Sequence, residues 1–263
     1  MSKRMSFTIV LALVFSVLLL FPLTASAARP PMPDHTKPMT AYYTFSGLVT
    51  KGPHKGMYLN GGLGLQIARS GKFTGNYYAP GSNDLPVKGF VNQRTGEFDV
   101  SFQRDDVHNM GPITGEGMLN SAQTQYSGEF QISNGDKQND SIANRHKQDD
   151  SGIWTGIPIN EKSVTTLAFR SLVKKGHDKG MIHSGVIILD KRNMKGMLVE
   201  PTGYTLACDV KKSDRGKQVT IVIGSNMIFG RGKLTDARNG YTGLFQGPHK
   251  GDQGEWEALF IAF

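Results

Sequence analysis

The chain has 263 residues, a formal net charge of +8 and a single cysteine. One cysteine excludes a disulfide framework, so the fold must rest on its own apolar core or on bound ions. The basic residues are scattered and form no stripe, which argues against a nucleic-acid partner and leaves a weak attraction to anionic surface polymers.

The amino terminus reads as a targeting segment. Lys3 and Arg4 precede an apolar run, Phe7–Phe21, and Ala25-Ser26-Ala27 supplies the small residues of a cleavage site. The run falls short of the roughly 20 residues that cross a bilayer. Cleavage after Ala27 is expected, leaving a secreted or cell-surface protein with no stable membrane insertion; an uncut anchor is the alternative. Residues 28–40 hold four prolines and no periodicity, which reads as a flexible or polyproline leader.

From Ala41 onward no helical period is visible. Short runs alternate apolar and polar residues and are broken by Gly, Asn, Asp and Ser, the pattern of an antiparallel meander. Strands are predicted at Tyr42–Thr50, Tyr58–Ile67, Lys72–Ala79, Leu85–Asn92, Gly96–Gln103, Pro112–Leu119, Gln125–Ile132 and Gly152–Pro158. A second set follows at Thr166–Val173, Ile182–Asp190, Met194–Glu200, Tyr204–Lys211, Lys217–Gly224, Met227–Thr235, Gly240–Gln246 and Glu255–Phe263.

These two sets are copies. Ile113–Phe130 matches Ile228–Phe245, Thr44–Met57 matches Ala168–Met181, and Asp150-Ser-Gly-Ile-Trp154 matches Asp252-Gln-Gly-Glu-Trp256, in the same order. Eight strands suffice to close a sheet around a filled interior, and closure removes exposed edges. The expected fold is therefore all-β: two tandem eight-stranded antiparallel meander barrels of the avidin or lipocalin kind. They would span residues 41–159 and 165–263, joined by the polar Ile159–Val164. The first copy is longer, chiefly through the polar stretch Ser133–Asp150, which reads as disorder or a functional loop. A single sixteen-stranded outer-membrane barrel is a rival, suggested by Leu259, Ile261 and Phe263 sharing a face at the end of the chain. Most strands are too short for it.

Within the repeat, alternation sets Leu119 opposite Tyr126, Gly117 opposite Gly128 and Gly115 opposite Phe130. In the second copy it sets Leu234, Gly232 and Gly230 opposite Tyr241, Gly243 and Phe245. Glycine inside a strand costs roughly 0.5–1 kcal/mol relative to alanine, so its recurrence needs a cause. One cause is curvature with an aromatic ring folded over bare backbone; the other is a dent that holds a ligand. Trp154 and Trp256 each follow Asp-x-Gly into the last strand of a copy, with the glycine expected to make the turn. They are read as plugs of the barrel ends or as platforms for a flat ligand or sugar ring. The candidate ligand-binding residues are accordingly Tyr126, Phe130, Trp154, Tyr241, Phe245 and Trp256.

Gly52-Pro-His-Lys-Gly56 and Gly247-Pro-His-Lys-Gly251, with their relative Gly176-His-Asp-Lys-Gly180, read as hairpin loops. His54, His177 and His249 have no second ligand at a metal-like spacing, so no metal is assigned. No catalytic motif is found and no cofactor is implied. Cys208 lies in YTLACDV and is expected to be buried on one face with Tyr204 and Leu206.

Lys72–Gln103, a Gly-turn strand followed by short amphipathic strands ending in an aromatic, resembles the middle of an avidin-type barrel. The resemblance implies meander topology; the tryptophans of an avidin pocket are missing from that stretch, so it implies no ligand. The leading functional expectation is an exported, non-enzymatic binding protein. Its partner would be a small apolar or carbohydrate ligand, or an anionic surface polymer, held at an open barrel end or in a groove between the copies. A structural, self-associating cell-surface protein and a barrel enzyme are the alternatives.

Overall fold

The computed structural model describes residues 39–80, 84–92, 94–103, 112–133, 149–224 and 228–263. The targeting segment, nearly all of the leader and most of the polar 133–150 stretch lie outside the described residues. Two closed eight-stranded antiparallel barrels follow one another along the chain. The first comprises β1 (Met39–Lys51), β2 (Tyr58–Ile67), β3 (Lys72–Tyr78), β4 (Leu85–Val91), β5 (Glu97–Phe102), β6 (Ile113–Leu119), β7 (Tyr126–Ile132) and β8 (Asp150–Gly156). Neighbours in sequence pair, and β1 closes the ring between β8 and β2. Next comes β9 (Pro158–Ile159), a separate two-residue strand along β1, where the sequence places the end of the first copy's last strand at Pro158 and the start of the join at Ile159. The second barrel comprises β10 (Val164–Lys175), β11 (Ile182–Asp190), β12 (Lys195–Val199), β13 (Thr205–Ser213), β14 (Gln218–Ile223), β15 (Ile228–Leu234), β16 (Gly240–Gln246) and β17 (Gln253–Phe260), closed by β10 against β17.

Because each half closes on itself, the sixteen-stranded barrel is excluded. The side-chain pattern also runs opposite to that of a membrane barrel, whose outer band is apolar. Here Phe73, Val87, Phe98 and Val100 point inward and are buried, while Lys72, Lys88, Asp99, Glu116 and Glu129 are exposed.

The register on β6–β7 and β15–β16 is the one inferred from the repeat: Leu119 opposite Tyr126, Gly117 opposite Gly128, Gly232 opposite Gly243, Gly230 opposite Phe245. The structure adds the third strand of each row. Trp154 stands opposite Gly128, and Trp256 opposite Gly243. Each indole crosses the bare middle strand and lies on the glycine beyond it. A Cβ on Gly232 would fall 2.5 Å from Trp256 Cζ2, and one on Gly117 would collide with the same edge of the Trp154 ring. The ring covering these glycines therefore comes from one strand further away than the pairwise reading suggests. Phe130 likewise lies over Gly152, and Phe245 over Gly254. Contrary to the expectation from sequence, these two glycines make no turn; they sit inside β8 and β17, where a side chain would collide with the phenyl ring.

Cys208 and Leu206 are buried, but Tyr204 is 61% exposed, because it sits in the turn ahead of β13 and the alternation begins only after it. Burial, aided by the charge of Asp209, pushes the Cys208 thiol up to about 12.

The barrels meet through a small apolar core of their own. Val186, Ile188, Val199 and Ile261 are buried there, packed against Tyr78, Ile157, Ile159 and Phe263. The predicted last strand runs to Phe263, whereas β17 stops at Phe260 and the final residues turn onto the first barrel. The Phe263 ring rests on Gly62 between Tyr42 and Tyr78, at centroid distances of 5.4 and 5.7 Å. On the inner side of the same wall, a Cβ on the adjacent Gly61 would lie 2.6 Å from the ring of Tyr77. Two consecutive glycines thus thin the wall of β2 so that one ring packs on each side of it.

Candidate functional site

The six aromatic residues singled out from the repeat are all buried. Trp154 is stacked on Phe45 at 5.5 Å and tilted against Phe98, and its indole N–H donates to the Glu116 carbonyl at 3.1 Å. Trp256 packs near Phe169 and donates to the Leu244 carbonyl at 3.2 Å. Tyr126 makes ring contacts with Tyr43 and Phe98, and Tyr241 with Phe260. Phe130 and Phe245 cover glycines as described above. In this arrangement the rings are occupied with one another and with bare backbone, and they do not converge on a common cavity. The void beside Tyr241 and Trp256 is about 10 Å³, room for one water at most.

A cavity that can hold a molecule lies elsewhere among the described residues, at one end of the first barrel where it faces the outer wall of the second. It encloses about 480 Å³, within the range of small-molecule sites. Its floor is the end of the first core: Phe45, Tyr77, Phe102 and Ile113. Its side is β10, β11 and β17, which contribute Arg170, Ser184 and Glu257. Arg170 and Glu257 stand directly opposite each other on β10 and β17.

Asn60 ties the two barrels together within this cleft. Its amide nitrogen donates to Ser184 Oγ at 2.7 Å and, more weakly, to the Phe169 carbonyl at 3.4 Å. Its oxygen accepts from Ser46 at 3.1 Å, and the Ser184 hydroxyl in turn donates to the Phe169 carbonyl at 3.1 Å. The shared wall is therefore fixed by a satisfied polar chain, which a rigid binding site requires. Beside it, burial raises the Tyr58 phenol above its ordinary range, as does the charge of Glu200, with Arg170 opposing. The hydroxyl stays protonated and able to donate. Gln125 and Thr155 of the first barrel add bonds to the carbonyls of Gly203 and Pro201, holding the barrels in one relative position.

A second concavity, about 900 Å³ but wide open, runs along the outside of β15–β17. Lys174, Lys175, Arg231 and Lys233 surround the exposed Leu244, and the Arg231 guanidinium sits 5.7 Å from the Phe229 ring centroid. The matched wall of the first barrel carries Glu116 and Glu129 opposite each other instead. The groove also holds Glu255, paired with Lys174 at 3.4 Å, so the two duplicated walls differ chiefly at Arg231 and Lys233, where the first barrel has Glu116 and Met118.

Sequence reasoning missed the cleft residues because Asn60, Arg170 and Ser184 belong to no repeated motif; only the docking of the barrels brings them together. It also missed Asp150 and Asp252, the first residues of the Asp-x-Gly-x-Trp blocks, whose carboxylates are buried at the barrel rims. Their recurrence beside two Gly-flanked loops was the available signal.

No protein-family model and no curated protein matches the chain. Among solved structures, the crystal structure of Burkholderia oklahomensis agglutinin aligns over 88% of this chain and 99% of its own, at 9% identity and a TM-score of 0.21. At that score the two molecules do not superpose as wholes, and the likeness bears no weight on what this chain binds.

Proposed function

We propose that the protein is an exported, non-enzymatic binding protein whose ligand occupies the cleft between the mouth of the first barrel and the wall of the second. The observation that carries this reading is the composition of that cleft. An aromatic floor meets a wall bearing a guanidinium, a carboxylate and a hydroxyl, and both barrels are needed to form it. Such a surface suits a small ligand with an apolar face and several hydroxyls, the chemistry of one or two sugar rings. A ring face stacks on Tyr58, while the Arg170 guanidinium donates to hydroxyls and the Glu257 carboxylate accepts from them. The basic groove on β15–β17 favours a second reading, an anionic polymer laid across Lys174, Arg231 and Lys233.

One experiment separates them. Neutral and anionic glycans are screened against the untagged chain, and any ligand found is titrated against Arg170→Ala and Arg231→Glu variants. The cleft reading expects a neutral ligand whose affinity falls at least tenfold in Arg170→Ala and is unchanged in Arg231→Glu. Binding restricted to anionic polymers, salt-sensitive and lost in Arg231→Glu, would place the ligand in the groove. A ligand insensitive to both substitutions would refute both sites.

A further inference from the structure

The rims of the two barrels offer an internal comparison, because the β1–β2 and β10–β11 loops have the same backbone. Gly52 and Gly176 have φ of +99° and +102°, and Gly56 and Gly180 have φ of +91° and +94°. In both, a Cβ on the first glycine would collide with the buried carboxylate of Asp150 or Asp252. In both, that carboxylate accepts the backbone N–H two residues further on, from His54 at 2.8 Å and from Asp178 at 3.2 Å.

The side chains then diverge. In the first barrel His54 turns its ring onto Asp150, and Nδ1 meets Oδ2 at 2.6 Å. In the second barrel the matched residue is Asp178, an acceptor in place of a donor. Asp252 is 2% exposed, and its Oδ2 has no hydrogen-bond partner among the described residues. A buried carboxylate oxygen without a donor is costly unless a cation or proton stands beside it. Here it adjoins a second carboxylate.

Two imidazoles converge on the same place. His177 Nδ1 lies 2.9 Å from Asp178 Oδ1, and His249, from the loop between β16 and β17, puts Nε2 3.6 Å from Asp178 Oδ2. The ring centroids are 5.1 Å apart. One ligand atom from each of His177, Asp178 and His249 lies within 4.8 Å of the others. Asp252 roots both loops, since it caps Asp178 through Oδ1 while its own N–H donates to the His249 carbonyl at 3.0 Å.

We propose that this rim is a divalent transition-metal site. His177, His249 and Asp178 are the ligands, and Oδ2 of Asp252, the carboxylate oxygen left without a donor, completes the set. Two imidazoles with carboxylate oxygens are the donor set of zinc and its neighbours and not of calcium or magnesium, which take oxygen alone. The ion stands to Asp252 as the His54 ring stands to Asp150 in the first barrel. It also links the loops that join β10 to β11 and β16 to β17, so binding stiffens the rim of the second barrel. This site shares no residue with the cleft.

The test is a zinc titration of the untagged chain in competition with a chromophoric chelator, followed by thermal melting with and without the ion. One zinc ion per chain with a micromolar or tighter Kd is expected, together with a rise in melting temperature. His177→Ala/His249→Ala should weaken binding by about 100-fold or more. Both rings are largely exposed, so this variant keeps its fold. Asp252→Asn, checked for folding by circular dichroism, should weaken binding by about tenfold. His54→Ala, which removes the matched histidine of the first barrel, should leave binding unchanged. Absence of stoichiometric zinc binding, or binding that survives in the double variant, would overturn the proposal. So would loss of binding in His54→Ala.

Discussion

Gly117→Ala is the sharpest probe of the idea that the repeated glycines exist to seat a tryptophan. In an ordinary strand the substitution stabilises, because alanine loses less backbone freedom on folding, by roughly 0.5–1 kcal/mol. In this wall the new methyl group would press against the edge of the Trp154 ring, 3.0 Å from Cη2 and closer still to Cζ2. The ring has little room to retreat, being stacked on Phe45 and tied to the Glu116 carbonyl. Overpacking of this kind costs about 1–3 kcal/mol. The net expectation is destabilisation of roughly 1–2 kcal/mol, opposite in sign to the propensity effect. The assay is urea unfolding followed by tryptophan fluorescence. Trp154 and Trp256 are the chain's two tryptophans, so each barrel carries its own reporter. The double variant Gly117→Ala/Trp154→Phe supplies the control, since phenylalanine lacks the outer benzo edge that the methyl group meets. Trp256 and circular dichroism serve as its probes. A coupling of about 1–2 kcal/mol between the two changes is expected. A stabilising or neutral Gly117→Ala, or strictly additive effects, would refute the argument.

Two further expectations concern the junction and alkaline stability. Phe263→Ala removes the ring that bridges Tyr42 and Tyr78 over Gly62; because that ring is partly exposed, the loss should be about 2 kcal/mol, below the full cost of a core phenylalanine. Separation of the two barrels' unfolding transitions in the same fluorescence assay is the signature to look for, and wild-type coincidence would contradict it. Burial, reinforced by Tyr126, raises Tyr43 well above the usual phenol range, and burial also raises Tyr126 and Tyr241. A phenol whose folded pKa exceeds its unfolded value near 10 stabilises the fold fully below that pH, and the contribution disappears as the pH climbs toward the folded value. Melting temperature should therefore begin to fall above about pH 9, where the raised Cys208 thiol contributes, and fall more steeply above 10 as the phenols add to it. Tyr43→Phe should lessen the fall, and an unchanged profile in that variant would show that another group is responsible.

The duplication, the all-β class, the eight strands of each barrel and the pairing register of the glycine-bearing strands were all legible in the amino-acid sequence. They are local or periodic properties: side-chain alternation has a period of two, turns announce themselves through glycine and asparagine, and a repeated block fixes its own pairing. Tertiary structure alone decided the rest. That Trp154 reaches across Gly128 to Gly117 depends on the curvature of three strands together. The final residues leave β17 because docking of the barrels offers Phe263 a glycine to rest on. Neither the cleft around Asn60, Arg170 and Ser184 nor the meeting of His177 with His249 could be read from spacing. Their residues lie far apart along the chain and become neighbours only when two closed sheets set their loops at the same rim and their walls side by side.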